Sequence, residues 1–312
     1  MPQPLLVAAA AIMNDKGQVL IARRPAGVDQ GGLWELPGGK LAPYETGFQA
    51  LKREIGEELG IEVIKARPLI RVRHSYANKT VLLDVWKVLE FAGEPWGREG
   101  QPIRWVAVDD LVNYTFPAAN KPIIKAVQLP DEYLITGNFA DEQDALVRLN
   151  RALEQGIKLV QLRAHQLDAE AYRCLAQAFL GPCQKAGAKL MLNADPELLK
   201  QVDADGIHLT AARLANYDQR PVPVDKWLAA SCHDAKAIIQ AENLRADFIT
   251  LSPVLETPSH PKAQALGWHN FNTLTDNAKL PVYALGGMNR QQLDRVFGLG
   301  GQGIAGITQY WS

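Results

Sequence analysis

The sequence predicts two domains of different class: an α+β domain over residues 1–130 and an α/β domain over residues 131–312, built as a (β/α)8 barrel. Three observations predict this. The 312 residues are twice the roughly 150 typical of one domain. The first 130 set several apolar strands around one strong helix, and the remainder alternates short apolar strands with helical stretches eight times.

In chain order, residues 5–12 and 19–22 read as strands on either side of the Asn14-Asp15-Lys16-Gly17 turn. The strong helix covers residues 46–59, where apolar residues recur at helical spacing until Gly60 stops the run. Further strands are expected at 69–72, 81–89 and 104–108, and residues 116–129 read as a short closing helix ended by Leu129-Pro130-Asp131. The eight strands of the second pattern begin at Tyr133, Leu159, Leu190, Gly206, Leu228, Phe248, Val282 and Ile304. Helices between them include 141–154, 169–186, 235–244 and 290–297. Eight βα units is the arithmetic of a closed barrel, with an open doubly wound sheet as the alternative.

Composition removes several function classes. Lys and Arg number 33 against 34 Asp and Glu, a net charge of -1, so no general field draws the chain to long nucleic acid or anionic lipid. With 47% hydrophobic and 21% charged residues, neither disorder nor membrane spanning is expected. Cys174, Cys183 and Cys232 form no CxxC pair and no metal-ligand spacing with the six histidines, and read as buried reduced thiols. The apolar stretch 5–13 has no basic residue before it and runs into a turn, so it reads as a strand instead of a secretion signal. A cytoplasmic location is expected.

Residues 38–61 carry the most chemistry. Glu54, Glu57 and Glu58 stand at i, i+3 and i+4, so a helix places three carboxylates on one face within about one turn. Such a run is ordinarily a solvated face. Here a Gly-Gly turn, a Pro-containing loop and Glu45 precede it, and clustered carboxylates make sense when hard divalent cations neutralise them. Mg2+ takes oxygen ligands and bridges protein carboxylates to substrate phosphates. Water attack on phosphorus also needs a carboxylate to take the proton.

Gly39, Glu45, Arg53-Glu54, Ile55, Glu57-Glu58, Gly60 and Ile61 fit the Nudix box, G-x5-E-x7-R-E-U-x-E-E-x-G-U, at every fixed position. The chain therefore resembles the Nudix hydrolases, whose fold is an α/β/α sandwich. Gly93-Glu94-Pro95-Trp96-Gly97-Arg98-Glu99-Gly100-Gln101 and Phe116-Pro117-Ala118-Ala119-Asn120 are similar to stretches of the MutT branch. That branch hydrolyses oxidised purine nucleoside triphosphates such as 8-oxo-dGTP to the monophosphate and pyrophosphate, which prevents mutagenic incorporation. The resemblance implies metal ligation by Glu54, Glu57, Glu58, Glu99 and the Gly38 carbonyl, with Mg2+ as the ion and Mn2+ as a substitute. It implies that Arg53 orients Glu54, that Glu45 supports the loop and helix, and that Glu54 or Glu99 is the general base.

The same resemblance implies substrate contacts by Arg24, Lys79 and Asn120, and sets Leu36 where relatives have an aromatic residue near the base. An Asn before Lys121-Pro122 is otherwise a cap or turn residue. Its amide carries both donors and an acceptor. The 8-oxoguanine edge presents N7–H beside O6, whereas guanine presents two acceptors, so one amide pairs twice with the oxidised edge and once with the normal one.

The second domain resembles thiamine phosphate synthase and its TenI-like relatives, a TIM-barrel family. The likeness rests on Tyr133-Leu134-Ile135-Thr136, Val160-Gln161-Leu162-Arg163, Ala204-Asp205-Gly206-Ile207-His208-Leu209, Ser252-Pro253-Val254 with Thr257-Pro258-Ser259, and Ala284-Leu285-Gly286-Gly287-Met288. Strands seven and eight of such barrels commonly end in a phosphate site of backbone N–H groups. Gly286, Gly287, Gly306 and Thr308 occupy those places. The family pattern asks for a lysine after the QLR arginine, an Asn-Asp pair after the third strand and an acidic residue after the HL motif. This chain has His165, Asn193-Ala194 and Arg213 there, so a catalytically degenerate barrel is expected. His165, His208 and His233 read as core or loop residues in preference to a metal centre.

The expected function is Mg2+-dependent hydrolysis of a small nucleotide. The barrel binds a phosphorylated ligand, regulates the hydrolase, or joins an oligomer, three roles among which the residues do not choose. Two alternatives stand beside it: hydrolysis of a thiamine-pathway pyrophosphate, and non-catalytic sensing of oxidised bases.

Overall fold

The computed structural model describes residues 4–27, 30–76, 80–257 and 264–311, and the chain divides into two units, Met1–Gln128 and Leu129–Ser312. Leu129 falls in the second because its carbonyl accepts a hydrogen bond from Gln302 at 3.1 Å and its side chain packs into the barrel interior.

The first unit runs β1 (Leu5–Ile12), β2 (Gln18–Arg23), β3 (Trp34–Glu35), β4 (Gly38–Lys40), α1 (Gly47–Leu59), β5 (Glu62–Ser75), β6 (Thr80–Ala92), β7 (Ile103–Ala107) and α2 (Lys121–Gln128). A mixed sheet has the order β4-β1-β6-β5 and a smaller antiparallel sheet the order β3-β2-β7. Side chains alternate across a strand. Ala8, Ala10 and Ile12 of β1 therefore pack with Ala50, Leu51, Ile55 and Leu59 of α1, while Ala9 and Ala11 pack with Ile123, Ile124 and Val127 of α2. A strand covered on both faces reads as an unbroken apolar run, and the result is the expected α/β/α sandwich.

Helix α1 begins where Thr46 accepts the Gln49 N–H while the Gln49 side chain accepts the Thr46 N–H, a reciprocal cap. It ends at Gly60, left-handed at φ 70°. With Leu51, Ile55 and Leu59 buried four residues apart, the glutamates are left on the opposite face. The short β3 and β4 lie outside the sequence expectation, because two and three residues that include a Gly pair carry no periodic signal.

The second unit contains β8 (Glu132–Ile135), α3 (Glu142–Glu154), β9 (Leu159–Leu162), α4 (Ala169–Lys185), β10 (Lys189–Leu192), β11 (Gly206–Leu209), α5 (Ala211–Leu214), β12 (Trp227–Cys232), α6 (Ala235–Asn243), β13 (Phe248–Leu251), α7 (Gly267–Asn277), β14 (Val282–Ala284), α8 (Leu293–Gly298) and β15 (Gly303–Gly306). All eight strands are parallel, and pairing of β15 with β8 closes the barrel, which excludes the open sheet. Inward residues Tyr133, Leu159, Met191, Phe248 and Tyr283 fill its centre, so the barrel is plugged and its free space lies toward the C-terminal ends of the strands. Helix α7 escaped the sequence reading because it buries only Phe271 and Thr275. Cys183 and Cys232 are buried, whereas Cys174 is exposed on the outer face of α4, beside Glu170, against expectation. Among the described residues no helix is long and apolar enough to cross a membrane.

His208 is a core residue. Its Nδ1 lies 3.0 Å from the Tyr133 hydroxyl and its Nε2 2.9 Å from Ser231 Oγ, and burial pushes its pKa down to about 3. The unfolded chain then takes up a proton below about pH 6.5 while the folded barrel does not. Stability from this group is complete above that pH and falls by about 1.4 kcal/mol per pH unit down to the folded value. Denaturant melts of the barrel between pH 7 and 4 are expected to show this loss, and His208→Gln is expected to flatten it.

Candidate functional site

The Gly-Gly turn brings loop and helix together. Gly38 and Gly39 pair with Ala9 and Ala8 of β1. A Cβ on Gly38, whose φ is +146°, would stand 2.2 Å from the Ala8 carbonyl oxygen, so a side chain has no room there. At Gly39 a Cβ would stand 2.1 Å from Glu54 Oε2. The Glu54 carboxylate thus rests on the bare face of this glycine.

Arg53 is the hub of the acidic face. Its Nε and Nη2 fork onto Glu45 at 2.8 and 2.9 Å, and Nη1 reaches Glu54 at 2.8 Å and Glu57 at 3.1 Å. Nη2 also donates to the Lys40 carbonyl at 3.0 Å. Glu45 accepts in addition the Ala42 N–H at 2.8 Å. The Arg53 hydrogen bonds, with that of Ala42, hold the Glu45 carboxyl at about 2, and the hydrogen bonds to Glu45 and Glu54 raise the guanidinium further.

Glu58 faces elsewhere, accepting the Gly38 N–H at 3.0 Å. Burial pushes its carboxyl up to about 7 against that hydrogen bond, and the charges of Glu99, Glu35 and Glu54 push the same way. Glu99 is carried by the loop that covers the end of α1. There the Arg98 N–H and the Gln101 side chain donate to the Glu58 carbonyl at 2.9 and 3.0 Å, and the Trp96 N–H donates to Leu59 at 3.1 Å. These donors satisfy the helix's open carbonyls.

Among the described residues no three acidic, His or Cys side chains already converge as a cation cage, because Glu54 and Glu57 are turned to Arg53. The donor chemistry still fits a hard divalent cation. Glu58 stands among three like charges, and carboxylate and carbonyl oxygens are what such ions take. Glu54, Glu57, Glu58, Glu99 and the Gly38 carbonyl are the residues that would hold it.

A cleft of about 260 Å³ opens beside the turn, lined by Arg24, Glu35, Leu36, Gly38, Gly39, Tyr76 and Asn120 among others. Asn120 is 9% exposed, and its side-chain amide has no hydrogen-bond partner among the described residues. Arg24 pairs with Glu35, whose carboxyl is raised by burial although Arg24 opposes this. Lys79 lies outside the described residues. Glu35 and Tyr76 were not singled out from sequence; the one available signal was a lone acid between Trp34 and Leu36 just before the Gly-Gly turn.

The barrel has its own cavity, of about 1090 Å³, lined by Gly286, Gly287, Gly306 and Thr308 on one side and by Arg163, His165 and Asn193 on another. Gly286 and Gly287 have φ of +96° and +68°, and a Cβ on them would stand 2.8 Å from Pro253 and 2.7 Å from Leu255. Turn geometry and close approach both require glycine there. Backbone N–H groups of Gly286, Gly287 and Thr308 have no partner among the described residues. His233, also in the wall, bonds the Ser252 carbonyl at 2.7 Å. No described lining residue is acidic.

Comparison with known proteins agrees with both halves. The profile of the family described as thiamine monophosphate synthase matches residues 132–309, and that of the NUDIX domain matches residues 8–126. Over 185 residues the chain is 34% identical to an Aquifex aeolicus protein provisionally named thiamine-phosphate synthase 2, covering 59% of this chain and 99% of that one. It is 42% identical over 118 residues to the 8-oxo-dGTP diphosphatase of Haemophilus influenzae, covering 38% and 87%. It is 35% identical over 122 residues to the CTP pyrophosphohydrolase of Escherichia coli, covering 39% and 90%.

Because a methyl group at position 39 would displace the Glu54 carboxylate, Gly39→Ala is expected to leave the fold intact and lower phosphohydrolase turnover by roughly 100-fold. Steady-state kinetics beside a thermal melt measure both.

Proposed function

The chain belongs to the thiamine monophosphate synthase family and carries a NUDIX domain ahead of that region, and from this premise we propose that its first unit is a nucleoside triphosphate diphosphatase. The substrate is 8-oxo-dGTP or a close oxidised purine nucleotide, cleaved to the monophosphate and pyrophosphate. One observation carries this reading: a buried amide, Asn120, without a partner among the described residues, shares a cleft with the glycine turn on which the Glu54 carboxylate rests.

Mg2+, with Mn2+ as a substitute, would offset the charge of the triphosphate when held by Glu54, Glu57, Glu58, Glu99 and the Gly38 carbonyl. The remaining work falls to the chain. Glu45 fixes Arg53, and Arg53 fixes Glu54 at 2.8 Å. Glu54 or Glu99 takes the proton of the attacking water as the new P–O bond forms and the bridging P–O bond breaks. Asn120 reads the base edge, and Arg24, beside the same cleft, approaches the nucleotide.

A second substrate is favoured by the resemblance to the Escherichia coli CTP pyrophosphohydrolase, since an amide can also pair with the donor and acceptor of a cytosine edge. For the barrel, we propose that it does not make thiamine phosphate. His165, Ala194 and Arg213 replace the groups its family pattern asks for, and the described lining holds no carboxylate to bring a divalent cation. The residues present do not fit that ion.

Pyrophosphate release from 8-oxo-dGTP, dGTP, CTP and a thiamine-type pyrophosphate separates these readings. The full chain is expected to turn over 8-oxo-dGTP selectively, and Glu54→Gln to lower that rate at least about 100-fold. Asn120→Ala is expected to reduce the preference for 8-oxo-dGTP over dGTP by about tenfold or more, as the loss of a paired buried amide requires. Equal turnover of 8-oxo-dGTP and dGTP by the native chain contradicts the substrate assignment.

A further inference from the structure

Of the oxygens proposed for the cation, only those of Glu99 come from outside the glycine turn and α1. The Glu99 carboxylate has no hydrogen bond or ion pair among the described residues, so its place is set by its backbone. That backbone is the tip of a turn closed by the Gly100 N–H on the Gly97 carbonyl at 3.0 Å. No residue of 93–100 is buried, and a surface turn without apolar packing has little to keep it in one place. Yet of the three acids whose charges act on Glu58, Glu99 acts most strongly, which puts the two carboxylates near each other.

Polar braces supply the rigidity. Arg98 donates from its backbone N–H to the Glu58 carbonyl and from Nη1 to the Gly56 carbonyl, each at 2.9 Å. Gln101 holds both sides of the gap: its Nε2 donates to the Glu58 carbonyl at 3.0 Å, and its Oε1 accepts the Glu99 N–H at 2.9 Å. An amide carries the donor and the acceptor that this bridge needs. The turn is tight around it, since a Cβ on Gly97 would stand 1.9 Å from the Gln101 carbonyl oxygen. Glu58 does not depend on the bridge, because it lies within α1 and its carbonyl keeps the Arg98 N–H. Loss of the Gln101 amide therefore frees Glu99 and leaves the helix in place.

We infer that Gln101 is a positioning residue for the metal-dependent hydrolysis: its side chain locks the backbone of Glu99 to that of Glu58, so that the loop needs no ordering when a cation binds. The inference rests on the ligand set proposed above. An unbraced turn has to be ordered by the cation, and the entropy lost in ordering it weakens metal binding. Groups that orient a metal ligand in this way are typically worth about 10- to 100-fold in metal affinity.

Titration of the full chain with Mn2+, followed by the loss of the free ion's electron paramagnetic resonance signal, reads binding without turnover. Gln101→Met keeps the length of the side chain and removes both hydrogen bonds, and is expected to weaken binding about tenfold or more. Glu99→Gln is expected to weaken it at least as much. Added to Glu99→Gln, Gln101→Met is expected to cost nothing further, whereas a merely structural role would weaken binding again. In turnover at limiting Mn2+ the loss is expected in kcat and not in the KM for nucleotide, since no described residue of 93–101 lines the nucleotide cleft. Circular dichroism checks the fold, and should Gln101→Met lose it, Gly97→Ala, which displaces the same turn, takes its place. Unchanged affinity in the folded variant, a loss confined to KM, or losses that multiply in the double variant overturn the inference and leave the ligand set standing. Unchanged affinity in Glu99→Gln overturns the ligand set and the inference with it.

Discussion

Arg53 cannot satisfy its guanidinium without fixing three carboxylates and a loop at once. Its five donors engage Glu45, Glu54, Glu57 and the Lys40 carbonyl. The rest of the acidic site depends on this fork, because Glu54 must lie on the bare face of Gly39 while its neighbours repel it. A charged hydrogen bond to a planar fork is stronger and more directional than a contact with a lysine would be. The apolar stripe of Leu51, Ile55 and Leu59 anchors the helix from the other side, so the fork acts against a rigid element.

The two units handle charge in opposite ways. In the first, Glu58 is pushed up to about 7 by burial and by the acids around it, and crowded carboxylates of this kind are donors that a hard divalent cation would take. In the second, Arg163 and His165 line a cavity with no acid in its described wall, and the charges of Arg163 and Arg213 work with burial to lower the His165 pKa.

What could be read from sequence follows from periodicity and spacing. The 3.6-residue stripe of α1, the common face of its glutamates and the eight strand-helix alternations were all legible, because each repeats often enough to stand above chance. The short β3 and β4 were not, since two- and three-residue strands have no period to detect. Glu35, on β3, and Tyr76, just past the end of β5, enter the cleft through tertiary folding, which depends on partners far along the chain. The inverted charge of the barrel was visible at single positions, His165, Ala194 and Arg213. That Gln161 Oε1 and Asn193 Oδ1 are buried with no partner among the described residues needed the closed barrel.

The central claim is that Glu45 and Arg53 act on hydrolysis as one unit. A double-mutant cycle with Glu45→Gln and Arg53→Gln, read in turnover of 8-oxo-dGTP, measures this coupling directly. The account predicts that the double variant is no slower than the slower single one, because either change alone already frees Glu54. Losses that add in free energy would mean that the two residues act separately, and would contradict it.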